Sequence, residues 1–222
     1  MSDAEQRLAA VQAALNRACR DAARTEKPLL VAISKTFDAD AIRPLIAAGQ
    51  RHFGENRVQE AAAKWPEMLG EAATDSGGIT LHLVGQLQSN KAAEAVALFD
   101  VIHSVDRPSL VTALGKAQAA AGKHPACYLQ VNIGNEAQKG GCALAELPAL
   151  LAQARDAGLN VVGLMCVPPA AVEPAPYFAL LAEHAKRLGL AGLSMGMSSD
   201  YETAALLGST VVRVGSALFG SR

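Results

Sequence analysis

Short apolar runs alternate with longer amphipathic or Ala-rich stretches along the whole chain. The apolar runs are Leu29–Ser34, Arg51–Gly54, Leu81–Gln86, Val101–Val105, Cys127–Ile133, Val161–Val167, Leu193–Met197 and Val211–Val214. Most are continuous rather than alternating, the pattern of strands buried on both faces. The stretches between them are Ala39–Ala48, Arg57–Leu69, Asn90–Phe99, Ser109–Ala121, Leu144–Ala157, Tyr177–Leu188 and Tyr201–Leu207. Gly49, Gly70, Gly122, Gly158, Gly189 and Gly208 stand where helices are expected to stop. Ahead of the first strand, about Asp3 to Arg24, Leu8, Val11, Leu15 and Cys19 share one helical stripe. Eight strands alternating with helices predict parallel βαβ units, and eight is the number that closes a barrel. No Gly-x-Gly-x-x-Gly turn follows the first strand, which disfavours a doubly wound open sheet. The expected fold is α/β: a single (β/α)8 TIM barrel with an extra N-terminal helix, one domain over residues 1–222. Thr74–Gly78 and Pro168–Pro176 read as loops, the second a candidate site rim.

Composition narrows the function classes. The chain has 222 residues, enough for one large core; half are hydrophobic and only 4% aromatic, so Ala, Val, Leu and Gly must build it. With 20 basic and 21 acidic residues and no basic tract, nucleic acid is not an expected partner. Cys19, Cys127, Cys142 and Cys166 are scattered, with neither Cys-x-x-Cys pairs nor zinc spacing, and read as reduced thiols. Asp3, Glu5 and Arg7 leave no apolar signal core at the N-terminus, and no run reaches membrane-spanning length. The expectation is a soluble cytoplasmic protein with no membrane partner.

The candidate chemistry sits at the carboxyl ends of the strands, where barrels build their sites. Lys35 follows the first strand. An ammonium buried there is costly, so such a site favours the neutral amine or a Schiff base; a lysine that leaves the strand for water is the simpler alternative. Ser198, Ser199, Gly215 and Ser216 follow the seventh and eighth strands, a frequent phosphate site built from backbone amides. Ser199-Asp200-Tyr201-Glu202 also fits a capping box, which is compatible with phosphate binding. Arg213 interrupts Val211-Val212-Arg213-Val214 and needs an acceptor there: a carboxylate in a structural ion pair, a phosphate or a ring nitrogen. A lysine, a phosphate nest and a buried arginine together suit pyridoxal 5′-phosphate (PLP) better than a sugar-phosphate Schiff base.

Five segments then carry a resemblance. Val31-Ala32-Ile33-Ser34-Lys35-Thr36, His52-Phe53-Gly54-Glu55-Asn56-Arg57-Val58-Gln59-Glu60 and His82-Leu83-Val84-Gly85-Gln86-Leu87-Gln88-Ser89-Asn90-Lys91 resemble the PLP homeostasis family, the YggS or PROSC proteins. So do Leu193-Ser194-Met195-Gly196-Met197-Ser198-Ser199-Asp200 and Val211-Val212-Arg213-Val214-Gly215-Ser216-Ala217-Leu218-Phe219-Gly220. The resemblance runs nearly end to end. It implies a barrel of PLP fold type III, related to the barrel domain of alanine racemase, with PLP held as an internal aldimine on Lys35. It places the phosphate near Ser198, Ser199, Gly215 and Ser216, Arg213 facing the pyridine nitrogen, Asn56 beside the cofactor and His82 nearby. Two departures stand out. Phe37 occupies a position where many relatives carry a lysine, and Lys139 keeps its place in a strand-five loop whose neighbours have changed. For Lys139 a solvated surface lysine is the simpler reading.

An arginine at the ring nitrogen keeps that nitrogen unprotonated and makes the ring a weaker electron sink. The resemblance therefore implies a protein that holds PLP for intracellular homeostasis, as buffer or supplier to PLP-dependent apoenzymes, with little or no catalysis. A fold-type III amino-acid racemase is the alternative. It needs a second base, which none of Tyr128, Tyr177 and Tyr201 evidently supplies. It also has a β-rich second domain, not expected here because the sequence ends six residues after Ser216. Without that domain a monomer is expected. A cofactor-free aldolase-type lyase using Lys35 is the third reading; it leaves the buried Arg213 beside the nest without a role beyond a substrate phosphate.

Overall fold

A computed structural model describes residues 2–72 and 78–220. Eight parallel strands close into one barrel: β1 Leu29–Ile33, β2 His52–Glu55, β3 Thr80–Leu83, β4 Val101–Val105, β5 Ala126–Val131, β6 Asn160–Cys166, β7 Gly192–Ser194 and β8 Val211–Val214. Closure is direct, since β1 pairs with β8 from Leu29↔Val211 to Ala32↔Val214. Between the strands run α2 Ala39–Ala47, α3 Val58–Ala72, α4 Ala92–Leu98, α5 Pro108–Ala121, α6 Leu147–Asp156, α7 Ala175–Arg187 and α8 Tyr201–Leu206. Helix α1, Asp3–Asp21, precedes the barrel and packs on α2, α8 and a short α9, Ser216–Phe219. Its apolar stripe is the one the sequence presents, with Leu8, Val11, Leu15 and Cys19 buried.

Each strand divides its side chains between two cores because successive residues face opposite ways. On β8, Val212 and Val214 face the helices, in the main core with Ala32 and Phe53. Val211 faces inward with Val31, Ile33, Tyr128 and Met165. This inner layer is sparsely apolar, and buried His82, His103, Ser194 and Arg213 complete the barrel interior.

Three expectations change in detail. Gly70 does not stop a helix: α3 continues to Ala72. The stretch Asn90–Phe99 begins as a 3-10 turn, Ser89–Lys91, before α4. Ser199 does not cap α8; Asp200 stands at the N-cap, and its Oδ1 accepts the Met197 N–H at 2.6 Å. Of the expected loop Thr74–Gly78, residues 74–77 lie outside the described residues, and Pro176 belongs to the first turn of α7.

Candidate functional site

Parallel strands deliver all their carboxyl ends to one face, and there a cavity of about 700 Å³ opens. Lys35 lines it. Val31 and Ile33 point into the barrel, and Lys35 keeps their parity just beyond the end of β1. The side chain is half-buried and has no hydrogen bond or ion pair within the described residues. Its amine is therefore available to the cavity.

The backbone beneath it is clamped from behind. Thr36 has φ +66, a left-handed conformation that a β-branched residue rarely takes. The Glu60 carboxylate accepts the Thr36 N–H at 2.5 Å, and Lys64 donates to the carbonyls of Ser34 and Phe37 at 2.9 Å each. Lys64 also pairs with Glu55 Oε1 at 2.7 Å, which accepts from the Ser34 hydroxyl at 2.6 Å and Trp65 Nε1 at 3.0 Å. The Glu55 side chain is fully buried. Removing either partner would strand a charge, so the loop carrying Lys35 is tied to an ion pair that the fold cannot easily give up.

Arg213 lines the cavity from the neighbouring strand β8, in register beside Val31. Only 5% of it is exposed. Nη1 donates to the Ser194 hydroxyl at 2.5 Å and Nη2 to the Cys166 carbonyl at 2.9 Å. No carboxylate pairs with it among the described residues, so the structural ion pair that the strand pattern allowed does not form. Burial pushes its pKa down, opposed by Cys166, Asp200 and Tyr128. The neighbouring Cys166 thiol is pushed up to about 12 by burial and stays protonated, so it supplies no counter-charge. A guanidinium has five N–H donors, and Arg213 makes two hydrogen bonds, which leaves donor capacity beside the cavity.

A third wall comes from the loops after β7 and β8. Ser198, Ser199, Gly215 and Ser216 line the cavity together. The Gly215 N–H donates to the Ser198 hydroxyl at 3.0 Å and staples the two loops. The backbone N–H groups of Ser198, Ser199 and Ser216 have no acceptor within the described residues. Exposed hydroxyls of Ser199 and Ser216 lie beside them. These donors fit a phosphate ester, which carries several acceptor oxygens. A Cβ on Gly215 would meet Ile33 at 3.5 Å, ordinary contact, so protein packing alone does not demand a glycine there.

Asn56 lines the cavity beyond β2. Its backbone lies so close to Gly85 that a Cβ there would stand 2.2 Å from the Asn56 carbonyl oxygen; only glycine fits. At the mouth Phe37 stacks on Phe219 with centroids 4.4 Å apart. His82 is not part of this wall. It is 2% exposed inside the barrel and bonded to His52 and His103. Lys139 is no freely solvated surface lysine: it pairs with Glu136 at 2.6 Å and donates to the Pro168 carbonyl at 2.9 Å. None of the three tyrosines or four cysteines lines the cavity, and no metal-binding cluster occurs among the described residues.

Sequence reading missed Glu55, Glu60 and Lys64 as supports of Lys35. The Glu60–Lys64 spacing of four was a helix-surface signal, but nothing local shows that both reach back to residues 34–37. Nothing local marks His103 and Ser194 as hydrogen-bond partners either.

The family described as alanine racemase, N-terminal domain, matches residues 7–222. A protein of Pseudomonas aeruginosa named pyridoxal phosphate homeostasis protein is 40% identical over 230 residues, covering 100% of this chain and 97% of its own. The chain belongs to the pyridoxal phosphate homeostasis family. An Escherichia coli protein of the same name is 37% identical over 234 residues, with 100% and 98% covered. Among solved structures, PipY of Synechococcus elongatus with PLP bound superposes with a TM-score of 0.82 at 40% identity, over 98% of this chain and 100% of that one. An alanine racemase of Clostridium difficile, at 13% identity and TM-score 0.67 over 95% of this chain and 56% of its own, shares the barrel fold.

Proposed function

We propose that this chain binds PLP, with Lys35 holding the aldehyde as a Schiff base, and that it stores and releases the cofactor rather than turning over a substrate. The observation that carries this is one cavity presenting an unpaired amine, a buried guanidinium without a carboxylate and three unpartnered amides. Bound PLP supplies an aldehyde that a primary amine takes up with loss of water and yields to a second amine. Lys35 is that first amine. Ser198, Ser199 and Ser216 hold the phosphate through hydroxyls and backbone N–H groups. Arg213 faces the ring nitrogen and, being a permanent cation, keeps it unprotonated. Among the described residues that line the cavity Lys35 is the one amine, and no histidine, carboxylate, tyrosine or cysteine stands there as a second base. That arrangement supports holding over racemisation. With the cofactor bound, an incoming amine, including a lysine of an acceptor apoenzyme, would compete with Lys35 for the aldehyde in the cavity that Phe37 also lines.

The test is a visible absorption spectrum before and after borohydride, with peptide mass spectrometry. A band bleached by reduction, leaving a phosphopyridoxyl mass on Lys35 and absent in Lys35→Ala, is expected. A protein that takes up no added PLP overturns the reading. Directed transfer fails, and storage survives, if the loaded protein activates an apoenzyme no faster than the same amount of free PLP.

A further inference from the structure

Four hydrogen bonds run in series through the barrel interior. His52 Nδ1 meets His82 Nε2 at 3.1 Å, His82 Nδ1 meets His103 Nε2 at 2.9 Å, and His103 Nδ1 meets the Ser194 hydroxyl at 2.8 Å. Arg213 Nη1 closes the series on the same hydroxyl at 2.5 Å. The four bonds use one face each of β2, β3, β4, β7 and β8. His82 is 2% exposed, and His103 and Ser194 are fully buried. His103 lies flat on Tyr128, with centroids 4.6 Å apart and planes within 9°. At the far end His52 is half-buried and lines a second cavity, of about 630 Å³, walled also by Arg24, Arg51 and Thr210. The series thus spans the barrel from that cavity to the cation in the candidate cofactor site.

Such a series has a direction. A neutral imidazole has one donor and one acceptor nitrogen, so fixing any one link fixes every other. Arginine can only donate, so the Ser194 oxygen accepts from Arg213. The serine proton then has one partner, His103 Nδ1, because the Ser194 hydroxyl makes no other hydrogen bond within the described residues. The opposite order leaves a fully buried hydroxyl hydrogen without an acceptor, which carries the full desolvation penalty of a buried polar group. With Ser194 donating, His103 carries its hydrogen on Nε2 and donates to His82. His82 likewise carries Nε2–H and donates to His52. Every acceptor nitrogen then faces Arg213 and every N–H faces away. The dipoles line up with their negative ends toward the guanidinium and reinforce one another.

We propose that His82 and His103 are positioning residues for Arg213, holding its charge by a one-way hydrogen-bond chain through Ser194 in place of a carboxylate. A carboxylate would neutralise the guanidinium and compete with the ligand for its donors. Neutral dipoles stabilise the cation and leave its charge exposed to the cavity. The consequence for PLP rests on the proposed function; the chain itself does not.

The first measurement is therefore made on the ligand-free protein: nitrogen-15 chemical shifts of the histidine rings. Neutral His82 and His103, both in the Nε2–H form, are expected. The Nδ1–H form at His103, or rapid averaging between the two, overturns the proposal whatever becomes of PLP. The second uses His82→Leu, which breaks the chain three links from Arg213 without touching the cofactor cavity, beside His82→Gln, which keeps a donor and an acceptor. In the leucine variant His103 keeps the Nε2–H form that Ser194 sets, its N–H loses the His82 acceptor, and PLP binds roughly threefold to tenfold more weakly, with a shifted absorption band; glutamine restores part of the affinity and the band. Unchanged affinity and band in His82→Leu overturn the proposal. Should that variant not fold, Ser194→Ala cuts the chain beside Arg213 and is read the same way. A wild-type protein that binds no PLP defeats the proposed function while the ligand-free shifts still decide the chain.

Discussion

Lys64, its side chain 10% exposed behind the loop that carries Lys35, and Arg213, 5% exposed in the cavity wall, are two shielded cations that the fold treats in opposite ways. Lys64 is met by Glu55 at 2.7 Å and by Glu60 at 3.6 Å, and also donates to two carbonyls of the loop that carries Lys35. Arg213 is met by a serine, a carbonyl and, through the serine, a row of uncharged imidazoles. Charge spent on holding backbone is neutralised on the spot. Charge left for a ligand is stabilised by groups that carry none. A buried ion pair resists removal of either partner, whereas an unpaired buried cation adds little to folding and much to binding.

The largest test of this contrast falls on the amine between the two cations. Lys35→Ala should abolish the borohydride-stable phosphopyridoxyl mass while leaving the fold intact, because the side chain is half-buried and unpartnered. Glu55→Gln strips Lys64 of its buried partner and should cost about 3–5 kcal/mol in urea unfolding. The same unfolding assay should show Arg213→Leu within about 1 kcal/mol of the parent, but PLP binding weakened roughly a hundredfold in a spectral titration. If Arg213→Leu destabilised the protein as much as Glu55→Gln, the contrast would collapse.

A smaller effect concerns pH. Burial, reinforced by His52, holds the His82 pKa at about 3 against an ordinary 6.5, and His103 is pushed well below its ordinary value by burial, His82 and Arg213. Below 6.5 the unfolded chain takes up protons that the folded chain refuses. Stability is therefore full above 6.5 and falls between there and about 3, by about 1.4 kcal/mol per pH unit for His82 alone. Thermal melts from neutral to acidic pH should show that slope, and His82→Gln should flatten it. The smallest effect is expected from Gly215→Ala: packing tolerates the methyl, so melting should hardly move while PLP affinity drops a few-fold.

Much of this architecture was legible in the linear pattern. The runs at Val101–Val105 and Val211–Val214 match their strands end to end, because a strand buried on both faces has little freedom in composition. The β3 and β7 runs read too long, since Val84 and Met197 are apolar for a different reason: they line the cavity beyond the strand ends. Lys35, Asn56, Ser198, Ser199, Arg213, Gly215 and Ser216 do meet at one cavity, as parallel strands of one barrel require. His82 does not, because its inward parity on β3 places it a layer deeper.

The order of apolar and polar positions thus determined by itself that eight strands would form, that all their carboxyl ends would share a face, and which residues those ends carry. Periodicity is local, so the chain can specify it residue by residue. Closure of the barrel decided the rest. Lys64 reaches Glu55 across one turn of chain packing, and Ser194 stands between His103 and Arg213 although 91 residues separate it from the histidine. Whether a buried cation meets a carboxylate or a dipole depends on which strands become neighbours inside the barrel, and no stretch of sequence contains that distance.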